Sequence, residues 1–285
     1  MKITAPKRRF VAEGLIIDDW SKIEVYYKDL ADREIDSLDS FKIWLRDQSE
    51  LEAILEEDMA WRYIKMTIDT KNEQLSSDYS FFVTEIAPKM APFDDLLNKK
   101  LISNSFRKEL ENDDAYKIYF RSVQKGIELF REENIPLQTE AQEKSKEYGT
   151  ISAAQSIEWE GKTLTMQQAA NLLKKQNETV RMDAFQKMVN RRSEDVDALE
   201  QLFDDLIVIR HKIAVNAGYK NFRDYKFDAL GRFDYTKEDC FDFHTAIKEH
   251  IVPMVRKIQK EHATKMGKEL INPWDSEIDP DGKEP

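Results

Sequence analysis

The sequence predicts a mainly α protein, a multi-helix bundle carrying one small β-hairpin, and three observations support this. Eight glycines and eight prolines in 285 residues are about half of average usage, which leaves few turn signals and favours long helices. Apolar residues recur at steps of three and four along nearly the whole chain, the signature of amphipathic helices. Only one stretch, near residue 156, changes to a period of two.

In the first half, Trp20, Ile23, Tyr27 and Leu30 form one stripe behind the capping candidates Asp18 and Asp19, so a helix is expected there. Asp39 and Ser40 restart the pattern with Phe41, Trp44, Leu45, Leu51, Leu55 and Met59, and Tyr63 and Met66 extend the buried face. Leu75, Tyr79, Phe82 and Ile86 predict a further helix ending near Pro88, whose ring removes a backbone donor. Phe93, Leu97 and Leu101, then Tyr116, Tyr119, Val123, Ile127 and Phe130, give two more faces, the second stopping before Pro136. These aromatic and leucine stripes are read as core.

The period changes between Thr150 and Leu164, where Ser156-Ile157-Glu158-Trp159-Glu160 alternates before Gly161-Lys162, predicting a hairpin. Thr165 and Gln168 have capping-box spacing, and Leu172 and Leu173 follow. Asn177 opens a helix with Val180, Ala184 and Met188. After Ser193 a longer one carries Val196 to Ile213 and ends at Gly218, placed as a left-handed terminator. Thr236 and Asp239 cap a last long helix that presents Cys240, Phe243, Ile247, Ile251, Met254, Val255 and Ile258, with a kink expected at Pro253 and a stop at Gly267. The segment Asn272 to Pro285, with Pro273, Pro280 and Asp281-Gly282, reads as loop. The lobes expected from the change of texture are 1–148 and 149–285.

Composition excludes several classes of function. A formal charge of −11, from 44 Lys+Arg against 55 Asp+Glu, disfavours binding to nucleic-acid phosphates, which requires a basic face. Val11 to Trp20 is broken by Glu13, Asp18 and Asp19, so no signal peptide is read there, and no apolar run is long enough to span a membrane. Cys240 is the single cysteine; it permits no intrachain disulfide and fits a reducing compartment, with cytoplasm the expected location. No two glycines lie within ten residues of each other, whereas dinucleotide fingerprints, phosphate loops and nucleophile elbows need closely spaced ones.

Residues with chemical potential are sparse. The four histidines, His211, His244, His250 and His262, lie 33, 6 and 12 residues apart, so no pair has the four-residue spacing of a zinc-peptidase helix. Glu249-His250 and Glu261-His262 are read as solvated pairs, His244 as a hydrogen-bonded core or interface side chain, and His211 in Arg210-His211-Lys212 as a charge match to a helix end. Cys240 is read as a buried, inert thiol. No carboxylate spacing singles out an acid and base pair. No catalytic, cofactor-binding or metal-binding residue is assigned.

Gly218-Tyr219-Lys220-Asn221-Phe222-Arg223-Asp224-Tyr225, followed by Gly231-Arg232-Phe233-Asp234-Tyr235-Thr236-Lys237-Glu238-Asp239-Cys240, resembles the oligoendopeptidase F-like metallopeptidases, relatives of thimet oligopeptidase. Phe243-His244, Ile251-Val252-Pro253, Asn272-Pro273-Trp274-Asp275 and Asp279-Pro280-Asp281-Gly282 recur in the same order, and Glu160 to Thr165 is similar too. Residues 1–140 match in helical texture only.

The resemblance implies an incomplete part of a larger helical peptidase fold, in which zinc held by a His-Glu-x-x-His helix and a downstream Glu hydrolyses short peptides inside a channel. That motif occurs nowhere in the 285 residues. The chain is therefore expected to be the amino-terminal portion of such an enzyme, forming walls or lid of the channel. It is expected to hold no zinc and to be inactive alone, with a carboxy-terminal catalytic part as its partner. A non-catalytic helical scaffold or peptide-binding module is the alternative.

Overall fold

Residues 7–283 are described by a computed structural model. The expected α class holds, with one two-stranded antiparallel sheet among the described residues. Two compact units form, and neither is contiguous in sequence. The first takes residues up to Glu147 together with Asp205–Gly231, and the second takes Tyr148–Asp204 and the chain from Arg232 onward.

The first unit begins with α1 (Ser21–Asp32), whose Ile23, Tyr27 and Leu30 are buried as their spacing requires. Asp19 accepts the Ser21 N–H at 2.8 Å; Asp18 instead pairs with Lys22 at the surface. Helix α2 (Leu38–Ile68) starts at Ser37, earlier than the expected Asp39-Ser40. Ser37 and Ser40 exchange side-chain and backbone hydrogen bonds in a capping box. Phe41, Trp44, Leu51 and Leu55 enter the core, but Tyr63 does not: it is 52% exposed, against the expectation. The Trp44 indole donates to the Leu30 carbonyl at 2.8 Å, and the Lys100 ammonium donates to Leu30, Ala31 and Arg33. Together they satisfy carbonyls left open where α1 ends.

Pro88 does not end a helix. Helix α3 (Glu73–Phe81) passes through a π turn at Phe82–Ile86 into α4 (Ala87–Ser103) without a break. The Ala87 N–H reaches back five residues to the Phe82 carbonyl. This widened turn brings Pro88 into the first turn of the next helix, where no donor is needed. Short α5 (Arg107–Leu110), α6 (Asp114–Leu129) and α7 (Asn134–Ala154) follow. Helix α7 runs past Thr150, so the change of period expected there begins only after it.

The second unit contains the expected hairpin. Strands β1 (Ser156–Trp159) and β2 (Lys162–Thr165) pair Ile157 with Leu164, and Glu160-Gly161 form the turn with φ of 49° and 76°. Both central residues lie in the left-handed region, as a tight right-twisting hairpin requires. Thr165 and Gln168 form the expected capping box on α8 (Met166–Ala170), and the Asn177 side chain caps α9 (Glu178–Ser193). Ile157, Met166, Ala169 and Met188 make the small core beneath them.

Helix α10 (Val196–Asn216) ends in a left-handed Gly218 at φ 88°, with the Gly218 and Tyr219 N–H groups returning to Val215 and Ala214. Its last turns belong to the first unit. Buried Asn134 donates to the Ile213 carbonyl at 3.0 Å and accepts from Asn216 at 2.8 Å, and Ile209, Ile213 and Ala214 pack with Tyr225 of α11 (Phe222–Ala229). In the second unit, Thr236 and Asp239 form the expected capping box on α12 (Lys237–Ala246). A second π turn, Ile247–Ile251, leads into α13 (Val252–Lys265). Pro253 sits in the first turn of α13 as Pro88 does in α4. Gly267, at φ 68°, follows the helix end, and Pro285, last of the tail prolines, lies outside the described residues.

Candidate functional site

The residues that carry the family resemblance mostly close turns. Gly218 terminates α10, Asn221 caps α11 by accepting the Asp224 N–H at 2.9 Å, and Thr236 caps α12. The Tyr219 hydroxyl donates to Asp228, which also pairs with Lys125 at 3.3 Å. Burial, with the charge and hydrogen bond of Asp228, raises the Tyr219 phenol to about 12. This region is built for rigidity.

In the second unit the Asn272-Pro273-Trp274-Asp275 turn is locked from below. Arg181 of α9 is 1% exposed and donates to Asp275 at 2.7 Å and to the Lys175 and Gln176 carbonyls. Lys268 donates to the other Asp275 oxygen at 2.6 Å and also meets Glu178. Burial works to raise the Asp275 carboxyl, but the Lys268 and Arg181 hydrogen bonds outweigh it and hold it below the usual carboxylate range. Trp274 lies against Phe185, with ring centroids 6.0 Å apart. No spacing rule reveals this tie, because its partners are 94 residues apart.

Above that turn, a cavity of about 660 Å³ opens between α13 and the segment at 269–276, lined by Arg256, Gln259, Lys260, Leu270 and Pro273. Beside it runs an exposed apolar surface. Every residue from Phe241 to Ile251 is exposed, as are Met254, Val255 and Ile258 at 59%, 44% and 60%. Phe243, Ile247, Ile251, Met254, Val255 and Ile258 recur at steps of one, three and four, so they share one helical face. Contiguous exposed apolar patches often mark contact surfaces.

The chemically capable side chains do not converge. His211, His244 and His250 are exposed, so His244 does not belong to the core of this chain. Helix α10 continues beyond Arg210-His211-Lys212 to Asn216, so these residues are not at the helix end; Arg210 instead lies over the Phe222 ring. His262 is half-buried with its Nε2 enclosed and unpartnered among the described residues, rather than solvated. Cys240 is half-buried, not fully buried. Ser80, Lys146 and Glu143 gather within hydrogen-bond distance, but a lysine held by a carboxylate is a poor base for activating a hydroxyl, and the cluster ties α3 to α7. Among the described residues no three His, Cys, Asp or Glu side chains could surround a metal ion, so this donor set does not fit zinc.

Among the described residues no helix is long and apolar enough to cross a membrane. Comparison with known proteins agrees with the motifs. Residues 16–130 match the model of the peptidase M3 N-terminal domain, and residues 171–279 match that of peptidase family M3. Among solved structures, the chain is similar to a protein described as oligoendopeptidase F from Bacillus anthracis str. Ames, with a TM-score of 0.85 and 19% identity over 95% of this chain and 50% of that one. It is similar to PZ peptidase A bound to an inhibitor, with a TM-score of 0.87 and 22% identity over 96% and 49%. An oligoendopeptidase-F from Enterococcus faecium gives 0.71 and 14% over 93% and 54%. These likenesses show the fold, and the chain spans about half the length of each of these proteins. A search of curated protein sequences gives no match. With two family models taking in most of its length and a shared fold along nearly all of it, the chain belongs to the M3 peptidase family.

Proposed function

We propose that this chain is the amino-terminal portion of a zinc-dependent oligopeptidase. In this reading 1–148 is an amino-terminal helical lobe and 149–285 begins the peptidase domain. The chain supplies walls or lid of a channel that admits short peptides and excludes folded proteins and bulk water. The metal ligands and general base come from a carboxy-terminal part outside these 285 residues. In the bound metal centre zinc would polarise the scissile carbonyl; the residues of this chain shape and dry the space around it. A cytoplasmic location belongs to the same proposal.

The observation that carries this reading is the apolar face from Phe243 to Ile258. A solvent-facing helix would place charge at those positions, and burying six large apolar side chains there against a partner is strongly favourable. The half-length coverage of the solved relatives supports a partner of similar size. The test is elemental analysis and quenched-peptide hydrolysis on the purified 285-residue chain. Less than about 0.1 zinc per chain and no turnover are expected, because three convergent ligands are required. Stoichiometric zinc, or turnover abolished by a chelator, would overturn the proposal. Peptide binding without hydrolysis, even after the carboxy-terminal part is added, would favour the peptide-binding module.

A further inference from the structure

Helices α7, α10 and α11 of the first unit border a cavity of about 310 Å³, and each presents residues one turn apart to it: Gln138 and Gln142, Arg210 and Ile213, Phe222 and Lys226. Two of these side chains are cations, and no carboxylate lines the wall. Arg210 is half-buried and lies over the Phe222 ring, its guanidinium carbon 5.9 Å from the centroid. Lys226 follows Phe222 by four residues, so it rises from the same side of α11 as that ring. Neither cation makes an ion pair among the described residues.

Carboxylates close by on the same helices are committed elsewhere. Asp224 serves Asn221 and Arg223, Asp228 serves Tyr219 and Lys125, Asp205 pairs with Lys144, and Glu143 pairs with Ser80 and Lys146. In a chain of net charge −11, a cavity that holds two like charges and no counter-charge carries a repulsion that a bound anion removes. The rest of the wall supplies amide donors and apolar surface. Gln138 is hydrogen-bonded to the hydroxyl of buried Tyr225, and Ile213, Phe222 and Ala229 are apolar.

We propose that this cavity binds a small phosphate monoester with an aromatic organic group, the phosphate held by Arg210 and Lys226 and the ring by Phe222 and Ile213. Cations from two helices, with amide donors from a third, approach from several directions and suit a tetrahedral dianion with three acceptor oxygens. A carboxylate has two oxygens, which one guanidinium satisfies alone. The apolar share of the wall separates an ester from the bare ion, because inorganic phosphate would leave that surface in water. Access is open, since Lys226, Gln138 and Gln142 are exposed. The site is independent of peptide hydrolysis and of the proposed carboxy-terminal part.

The test is calorimetric titration of the 285-residue chain, in phosphate-free buffer, with phenyl phosphate, inorganic phosphate, benzoate and phenol. Phenyl phosphate is expected to bind at one site, inorganic phosphate and benzoate about tenfold or more weaker, and phenol without saturation. Lys226→Ala, at an exposed position with no ion pair to lose, should keep the parent melting temperature and weaken phenyl phosphate about threefold or more. Arg210→Lys keeps the charge but removes the planar fork, and should weaken it about threefold or more. The Lys226 readout stands even if the Arg210 variant fails to fold. Absence of saturable binding, inorganic phosphate, benzoate or phenol binding as tightly as phenyl phosphate, or affinity unchanged in either folded variant would overturn the proposal.

Discussion

Arg181 and Asp275, 94 residues apart in sequence, form an ion pair of 2.7 Å in which the side chains are 2% and 0% exposed. Their remaining polar atoms are used as well, by the Lys175 and Gln176 carbonyls on one side and by Lys268 and Asn272 on the other. The pair fastens the Pro273-Trp274-Asp275 turn to α9.

Removing one partner leaves a buried charge alone. Asp275→Leu or Arg181→Met should each lower stability by about 3–5 kcal/mol, and the double variant Arg181→Met/Asp275→Leu should recover a large part of it. Urea unfolding followed by tryptophan fluorescence measures this, with Trp274 reporting beside the lesion. Additive losses in the double variant would show that the pair is not coupled.

Asp94 acts in the opposite sense with pH. Burial raises its carboxyl to about 6, against the hydrogen bond from Tyr27, which lowers it. The folded state therefore holds a proton that the unfolded chain has released, and the contribution of Asp94 to stability falls as pH rises from about 4 to about 6. Asp94→Asn keeps an acceptor for Tyr27 and removes the charge. It should stabilise the chain above pH 6 by up to on the order of 3 kcal/mol and have little effect at pH 4. Melts at the two pH values decide it, and a variant equally stabilised at both would contradict the burial argument.

Gly218 tests the turn that carries part of the family resemblance. A Cβ there would meet nothing within 4 Å, but φ is +88°, so the cost of Gly218→Ala is backbone strain alone. A loss of about 1–2 kcal/mol is expected, with Gly218→Asn losing less. An alanine variant as stable as the parent in thermal melts would mean that the turn relaxes.

The hairpin, the Thr165, Asn177 and Thr236 caps and the Gly218 terminator were legible because each depends on residues within a few positions of one another. The π turns were not. Pro88 reads as a stop, yet it follows a π turn, Phe82–Ile86, that carries the helix on, and Pro253, read as a kink, follows another at Ile247–Ile251. At Phe82–Ile86 the choice goes with packing, since Phe82, Val83 and Ile86 are all buried, whereas Ile247–Ile251 is exposed throughout; no local rule encodes either turn. The Tyr27–Asp94 hydrogen bond and the Arg181–Asp275 tie were hidden for the same reason. They depend on separate helices meeting, and the surrounding abundance of carboxylates masks the few that are buried. His262 looked solvated because its neighbour in sequence is charged, whereas the fold encloses one of its nitrogens.

The apolar face on α12 and α13 should make the isolated chain self-associate as concentration rises. Phe243→Asp and Met254→Asp, both at exposed positions, should reduce that association while leaving the helix content unchanged. Sedimentation velocity across a concentration series measures it. A monomer at all concentrations for the parent chain would argue that the face is tolerated by water.

The most direct measurement mixes the 285-residue chain with a separately produced carboxy-terminal half and follows quenched-peptide hydrolysis. The account predicts no turnover with this chain alone and turnover on mixing. Phe243→Asp/Met254→Asp should cut the mixed activity about tenfold or more by preventing assembly. Undiminished activity in that double variant, or zinc-dependent hydrolysis by this chain unaided, would contradict it.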